Sequence, residues 1–147
     1  IPLAAMKYIA KYLSMPYINV YEVATFYTMY NLAPVGKYFI QICTTSPCLI
    51  RGADKIKKAC EDKISINQNE VTKNGNCSWT EVECLGACVS APMMQVNEDY
   101  YEDLDEKNIK KILDSLVKGD PLKPGSYRGR KNTSPEKSKN LNGDKHA

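Results

Sequence analysis

The 147-residue chain has one histidine, one tryptophan and only six cysteines. Six thiols in this length fall well short of the density of small disulfide scaffolds, which points to a reducing compartment with free or metal-bound thiols. As disulfides they would allow about 15 pairings. No Cys-x-x-Cys is present, which disfavours thiol–disulfide exchange. There is no Gly-rich phosphate loop, no Ser/His/Asp set and no carboxylate pair suited to acid–base work, so no site for substrate turnover is legible. His146, in a polar stretch, reads as a solvated bystander. No run of about 18 apolar residues exists to span a membrane, and no signal or transit segment is visible. The chain opens Ile1-Pro2 without an initiator methionine, which predicts a processed or truncated N-terminus. Internal repeats are absent.

Charge of one sign is also scarce in the body of the chain. Residues 119–147 hold seven Lys/Arg and three acids, a net +4, so residues 1–118 carry −1 of the total +3. Only the tail is basic, which argues against a nucleic-acid-binding body.

What is there begins with a core: 43% of residues are apolar, enough for one domain with a short appendage. Leu3, Met6, Ile9, Ala10 and Leu13 form a helical stripe behind Pro2, ended by Ser14-Met15-Pro16. Asn19 and Glu22 read as a capping box for a helix over Val20–Tyr30. That helix is apolar or aromatic nearly all round, which calls for cover on most sides, from a partner or from the core. Pro34-Val35-Gly36 is a turn, and Tyr38–Cys43 reads as a strand. A helix opened by Cys48 follows over Leu49–Cys60, then a polar stretch with a short strand expected at Ile64–Ile66. Trp79–Cys84 is the next strand, Met93–Tyr101 a hairpin turning at Asn97-Glu98-Asp99. Asp105 caps a last helix striped by Ile109, Ile112, Leu113, Leu116 and Val117, and Gly119 stops it. The order is β-α-β-β-β-α behind a helical cap: residues 1–33 cap, 34–119 α/β domain, 120–147 an extended or disordered tail.

Against that background two thiol pairs stand out, Cys43-Thr44-Thr45-Ser46-Pro47-Cys48 and Cys84-Leu85-Gly86-Ala87-Cys88. Each first cysteine falls at a strand end, and Cys48 falls at a helix start, where free N–H groups suit anionic sulfur. Thiolates are costly to gather unless a metal or a disulfide compensates. Three readings stand: a [2Fe-2S] cluster, structural zinc, and disulfides or free thiols. Zinc tolerates such spacings. The cluster is favoured by its known use of a Cys-x4-Cys arm and by loops rich in backbone donors. A tetrathiolate [2Fe-2S] core carries about −2 oxidised and about −3 reduced, so one donor gained or lost shifts its potential on the order of 60–130 mV. Cys43 and Cys48 would hold one iron, Cys84 and Cys88 the other. Cys60, on an apolar helix face, reads as a small hydrophobe, Cys77 has no assigned role, and Met93 and Met94 read as strand packing.

The run Val20-Tyr21-Glu22-Val23-Ala24-Thr25-Phe26-Tyr27-Thr28-Met29-Tyr30-Asn31 resembles the thioredoxin-like iron–sulfur subunits of respiratory complex I (NADH:ubiquinone oxidoreductase). So do Pro34–Tyr38, Cys43–Cys48, Glu81–Cys88 and Tyr100–Leu104, and the likeness covers about residues 3–130. It implies a thioredoxin-like fold, preceded by a truncated helical cap, and a [2Fe-2S] cluster on Cys43, Cys48, Cys84 and Cys88. It further implies an electron-carrier subunit, with no turnover site of its own. Its cluster would exchange one electron with the FMN of a partner flavoprotein subunit that binds NADH. Related subunits serve NAD-linked hydrogenases and formate dehydrogenases, and a zinc-stabilised interaction module is the non-redox alternative. The resemblance favours the matrix side of the mitochondrial inner membrane, or the cytoplasmic side of the plasma membrane in a bacterium, as a peripheral subunit. Thr80 and Cys77 depart from the family's pattern and are expected to loosen the strand before Cys84. The Lys/Asn-rich tail beyond Arg130 matches nothing firmly.

Overall fold

A computed structural model describes residues 1–130. Helix α1 spans Leu3–Tyr12 and α2 Tyr17–Phe26; β1 is Tyr38–Cys43, α3 Ser46–Ile50, α4 Ala53–Lys63 and β2 Cys77–Val82. Strands β3 (Met94–Val96) and β4 (Asp99–Glu102) form the hairpin, α5 is Glu106–Lys118, and β5 is Gly125–Ser126. The sheet runs β2-β1-β3-β4-β5. β1 and β2 are parallel, β1–β3 and β3–β4 antiparallel, β4–β5 parallel.

Alternation decides the sheet's faces. Tyr38, Ile40 and Ile42 point one way and pack with Trp79, Met94 and Val96 beneath α4 and α5, which supply Ile56, Ala59, Ile109, Ile112, Leu113 and Leu116. Cys60 and Cys77 belong to this core, both fully buried, and burial pushes both thiols well above their ordinary range. β2 pairs with β1 along its whole length, and Thr80 Oγ donates to the Gln68 side chain at 3.0 Å. The expected loosening by Thr80 and Cys77 is therefore not seen. Gly36 enters the sheet against the Cys77 main chain, and its N–H donates to Ser78 Oγ at 2.9 Å.

Several expectations need correction. Asn19 is not a cap: α2 starts at Tyr17, three residues before the expected Val20, behind Pro16 with no side-chain cap, and stops at Phe26 where Tyr27 turns extended. Proline's fixed φ pre-set the start, so no capping box was needed. The helix expected over Leu49–Cys60 is two helices, because Gly52 adopts φ +100 between them; Cys48 is inside α3, not ahead of its helix. No strand forms at Ile64–Ile66. Instead the Ser65 carbonyl accepts from the Trp79 indole at 2.8 Å, and Ile66 is exposed. β2 starts and ends two residues early, leaving Cys84 in a loop.

Asp105 does cap α5, accepting from the Asn108 N–H at 2.7 Å, and Gly119 ends it at φ +91. Of the tail expected over 120–147, residues 120–130 are laid along the fold. Leu122 and Tyr127 pack on the core, and Tyr101 Oη donates to the Leu122 carbonyl at 2.8 Å. The rest, His146 included, lies outside the described residues. In the N-terminal pair, α1 buries Met6 and Ala10 but α2 only Ala24. Ile18, Tyr21, Val23, Phe26, Tyr27 and Met29 are exposed, so the all-round apolar helix is not a core helix of this chain.

Candidate metal centre

Parallel pairing brings the two thiol loops together. Cys43 ends β1 opposite Val82, the last residue of β2, so both following loops leave the same end of the sheet. One carries Cys48 into α3, where Cys43 and Cys48 are both buried. The other carries exposed Cys84 and Cys88, with Cys88 opening a short 3-10 turn over Cys88–Ser90. Gly86 takes φ +72 between them, a left-handed conformation that glycine adopts at little cost.

The thiols meet in pairs. Within each loop one thiol acts on the other: Cys43 raises Cys48, and Cys84 raises Cys88. Charge on Cys88 would also raise Cys48, and charge on Cys43 would raise Cys88. Burial, then Cys43 and Cys88, push the Cys48 thiol up to about 12. Cys88 is raised chiefly by Cys84. Burial would raise Cys43 too, but Thr45, Cys48 and the Leu85 backbone outweigh it and leave the thiol lowered. Four thiolates so placed repel one another, and only added positive charge relieves them.

Donors surround the sulfurs as the loop composition led one to expect. The Thr45 hydroxyl is 3.3 Å from Cys43 Sγ, and the Gly86 N–H donates to Cys84 Sγ at 3.3 Å. The Cys43 thiol itself donates to the Glu83 carbonyl at 3.4 Å, a second tie between the loops. Ala53, Ala87, Ala91 and Met93 wall the buried pair, with Leu85 and Tyr100 against them. Met93 and Met94 are thus both packing residues, each fully buried. Tyr100 was not foreseen: its hydroxyl donates to the Leu85 carbonyl at 2.6 Å and anchors the second loop. Nothing local marks it, since the loop it holds is 15 residues away. A cleft of about 620 Å³, lined by Leu32, Phe39, Thr80 and Cys84, opens beside that loop.

Among the described residues, no three His, Cys, Asp or Glu side chains are drawn together tightly enough to hold a metal ion as they stand. Paired all-sulfur donors, lined with N–H and O–H groups, suit an iron–sulfur centre.

The family model of the thioredoxin-like [2Fe-2S] ferredoxin matches residues 1–117. The chain belongs to the thioredoxin-like [2Fe-2S] ferredoxin family. The cofactor is accordingly a [2Fe-2S] cluster, and the α/β sheet is this ferredoxin fold. Two curated relatives are the E subunits of the NADH-quinone oxidoreductases of Rickettsia typhi and Rickettsia bellii. The first is 54% identical over 115 residues, covering 78% of this chain and 68% of the relative. The second is 55% identical over 116 residues, covering 79% and 70%. The corresponding protein of Rickettsia prowazekii is spanned over 64% of its length. Among solved structures, an NAD+-reducing [NiFe]-hydrogenase in its H2-reduced state superimposes with TM-score 0.70 at 18% identity. It covers 81% of this ferredoxin chain and 20% of the hydrogenase chain, a likeness of fold. No helix among the described residues is long and apolar enough to cross a membrane.

Proposed function

We propose that this chain is the electron-transfer subunit of an NADH:quinone oxidoreductase of the complex I type. The observation that carries the reading is that both thiol-bearing loops leave the same end of the β1–β2 pair and are tied there by the Cys43 thiol donating to the Glu83 carbonyl. Cys43 and Cys48 hold one iron, and Cys84 and Cys88 the other. When bound, the cluster accepts and returns a single electron. The chain's own part is to hold the four sulfurs, supply donors from Thr45 and Gly86, and keep the inner pair dry behind Ala53 and Met93. In this reading the subunit is a carrier rather than a site of turnover. Its electron partner is the FMN of an NADH-binding flavoprotein subunit.

The relatives' names support an oxidoreductase complex. The exposed apolar side of α2 supports docking on a neighbouring subunit, since large apolar patches mark interaction sites. Residues 1–33 serve as docking cap and 34–119 as cluster domain, with residues 120–130 reinforcing the sheet edge. The subunit is peripheral to the membrane. Its relatives named here are bacterial, which favours the cytoplasmic face of a plasma membrane; the mitochondrial matrix face is the equivalent position in an organelle. A diaphorase subunit of an NAD-linked hydrogenase is the second reading, supported by likeness of fold alone.

Anaerobic purification followed by metal analysis and EPR tests the proposal. Two irons and two sulfides per chain, with a signal after reduction, are expected. A colourless protein holding one zinc overturns it. Co-purification with a [NiFe]-hydrogenase subunit instead of quinone-reducing subunits would favour the second reading.

A further inference from the structure

We propose that Glu81 is a positioning residue that ties the two cysteine loops to one another through Thr44. Glu81 is the penultimate residue of β2, opposite Ile42 and three positions before Cys84. One carboxylate oxygen accepts from the Thr44 hydroxyl at 3.1 Å. The other accepts from Lys57 Nζ at 2.6 Å and from the Gln68 amide at 3.0 Å. Its backbone N–H donates to the Gln68 side-chain oxygen, Oε1, at 2.9 Å. A single side chain thus joins β2, the loop after β1, α4 and the segment after α4.

Thr44 stands between Cys43 and Thr45, the residue whose hydroxyl lies against Cys43 Sγ. Holding Thr44 therefore orients both a cysteine and the donor to it, while the same carboxylate is fixed on the strand that leads to Cys84. A partly exposed ion pair contributes little stability by itself, and the Glu81 side chain is 25% exposed. The organisation of the site, rather than stability, is what the donors converging on one carboxylate accomplish. The Lys57 bond also holds the Glu81 carboxyl below the usual carboxylate range, against its burial.

The proposal rests on the cluster ligands proposed above, so iron and sulfide in the wild-type chain are measured first; their absence removes that reading and is distinguishable from failure of the tie, which is read in a chain that holds its cluster. In the full chain, Glu81→Ala and Thr44→Val are each expected to shift the cluster's reduction equilibrium about three- to tenfold, roughly 30–60 mV, and to alter its EPR g-values. The double variant should shift it by less than the two single effects combined, because both remove the same tie. Glu81→Gln keeps an acceptor for Thr44 and should retain the wild-type g-values. Loss of the cluster from the alanine variant with retention in the glutamine variant also supports the tie. Wild-type potential and g-values in both Glu81→Ala and Thr44→Val, whatever happens to their melting temperatures, overturn it, as do strictly additive shifts.

Discussion

Cys43 stands across the parallel β1–β2 ladder from Val82. Two residues beyond Val82 lies Cys84, so the register of one strand pair decides whether the thiol loops share a neighbourhood. A slip by one residue would send alternate side chains to opposite faces of the sheet. The core prevents it: Ile40 faces Trp79 across the ladder, and both are buried.

Replacing Cys84 by Ser should remove or badly perturb the cluster. Cys60→Ser puts a hydroxyl into the apolar core at a cost of about 1–3 kcal/mol but should leave iron content and EPR signal intact. Equal loss of iron in the two variants, read by metal analysis, would refute the ligand assignment.

Gly36 is held by space rather than by torsion. A Cβ there would lie 2.5 Å from the Cys77 carbonyl carbon, and backbone cannot swing aside as a flexible side chain can. Gly36→Ala should lower stability by about 1–3 kcal/mol, read as a drop in the urea midpoint. Gly75→Ala meets no neighbour and strains only its φ of +77, so it should cost about 1 kcal/mol. The reverse order would contradict the packing.

Asp103 and Arg130 form a buried pair, with Nη2 to Oδ1 at 2.5 Å and side chains 1% and 10% exposed. Ser126 Oγ donates to the same carboxylate at 2.6 Å, and Arg130 reaches the Val89 carbonyl, next to Cys88, at 2.9 Å. Burial pushes the Asp103 carboxyl up, but the Arg130 and Ser126 bonds outweigh it and hold the group below the usual range. Its contribution is thus present above the unfolded value of about 3.9 and is lost as pH falls through the lower folded value. Asp103→Asn should cost about 1.5–3 kcal/mol at neutral pH by removing the charge that Arg130 and Ser126 bond to. In acid unfolding the wild type should lose stability more steeply than the variant below about pH 4. Parallel curves would count against the pair.

Phe26 is 77% exposed on α2. Phe26→Ser should leave melting temperature and EPR spectrum within error of wild type, while co-purification with the flavoprotein subunit falls. Unchanged co-purification would place the docking surface elsewhere.

Local signals were enough for much of this molecule. β1 at Tyr38–Cys43, the Asp105 cap, the Gly119 stop and the hairpin around Asn97 all depend on residues within a few positions of one another, and the sequence carries that information outright. The two thiol pairs were legible for the same reason: their spacing is local even though their meeting is not. Where competing local signals existed, the reading failed. Asn19 offered a cap, but Pro16 had already set the start of α2, and Gly52 broke a helix whose apolar stripe ran through it. Tertiary structure alone decided that the two thiol loops leave the same end of the sheet, that Tyr100 and Glu81 hold the loops, and that residues 120–130 add a strand beside β4. These depend on partners 15, 37 or more than 20 residues apart. Long-range hydrogen bonds leave no periodicity in a sequence; the packed sheet has to bring their ends together first.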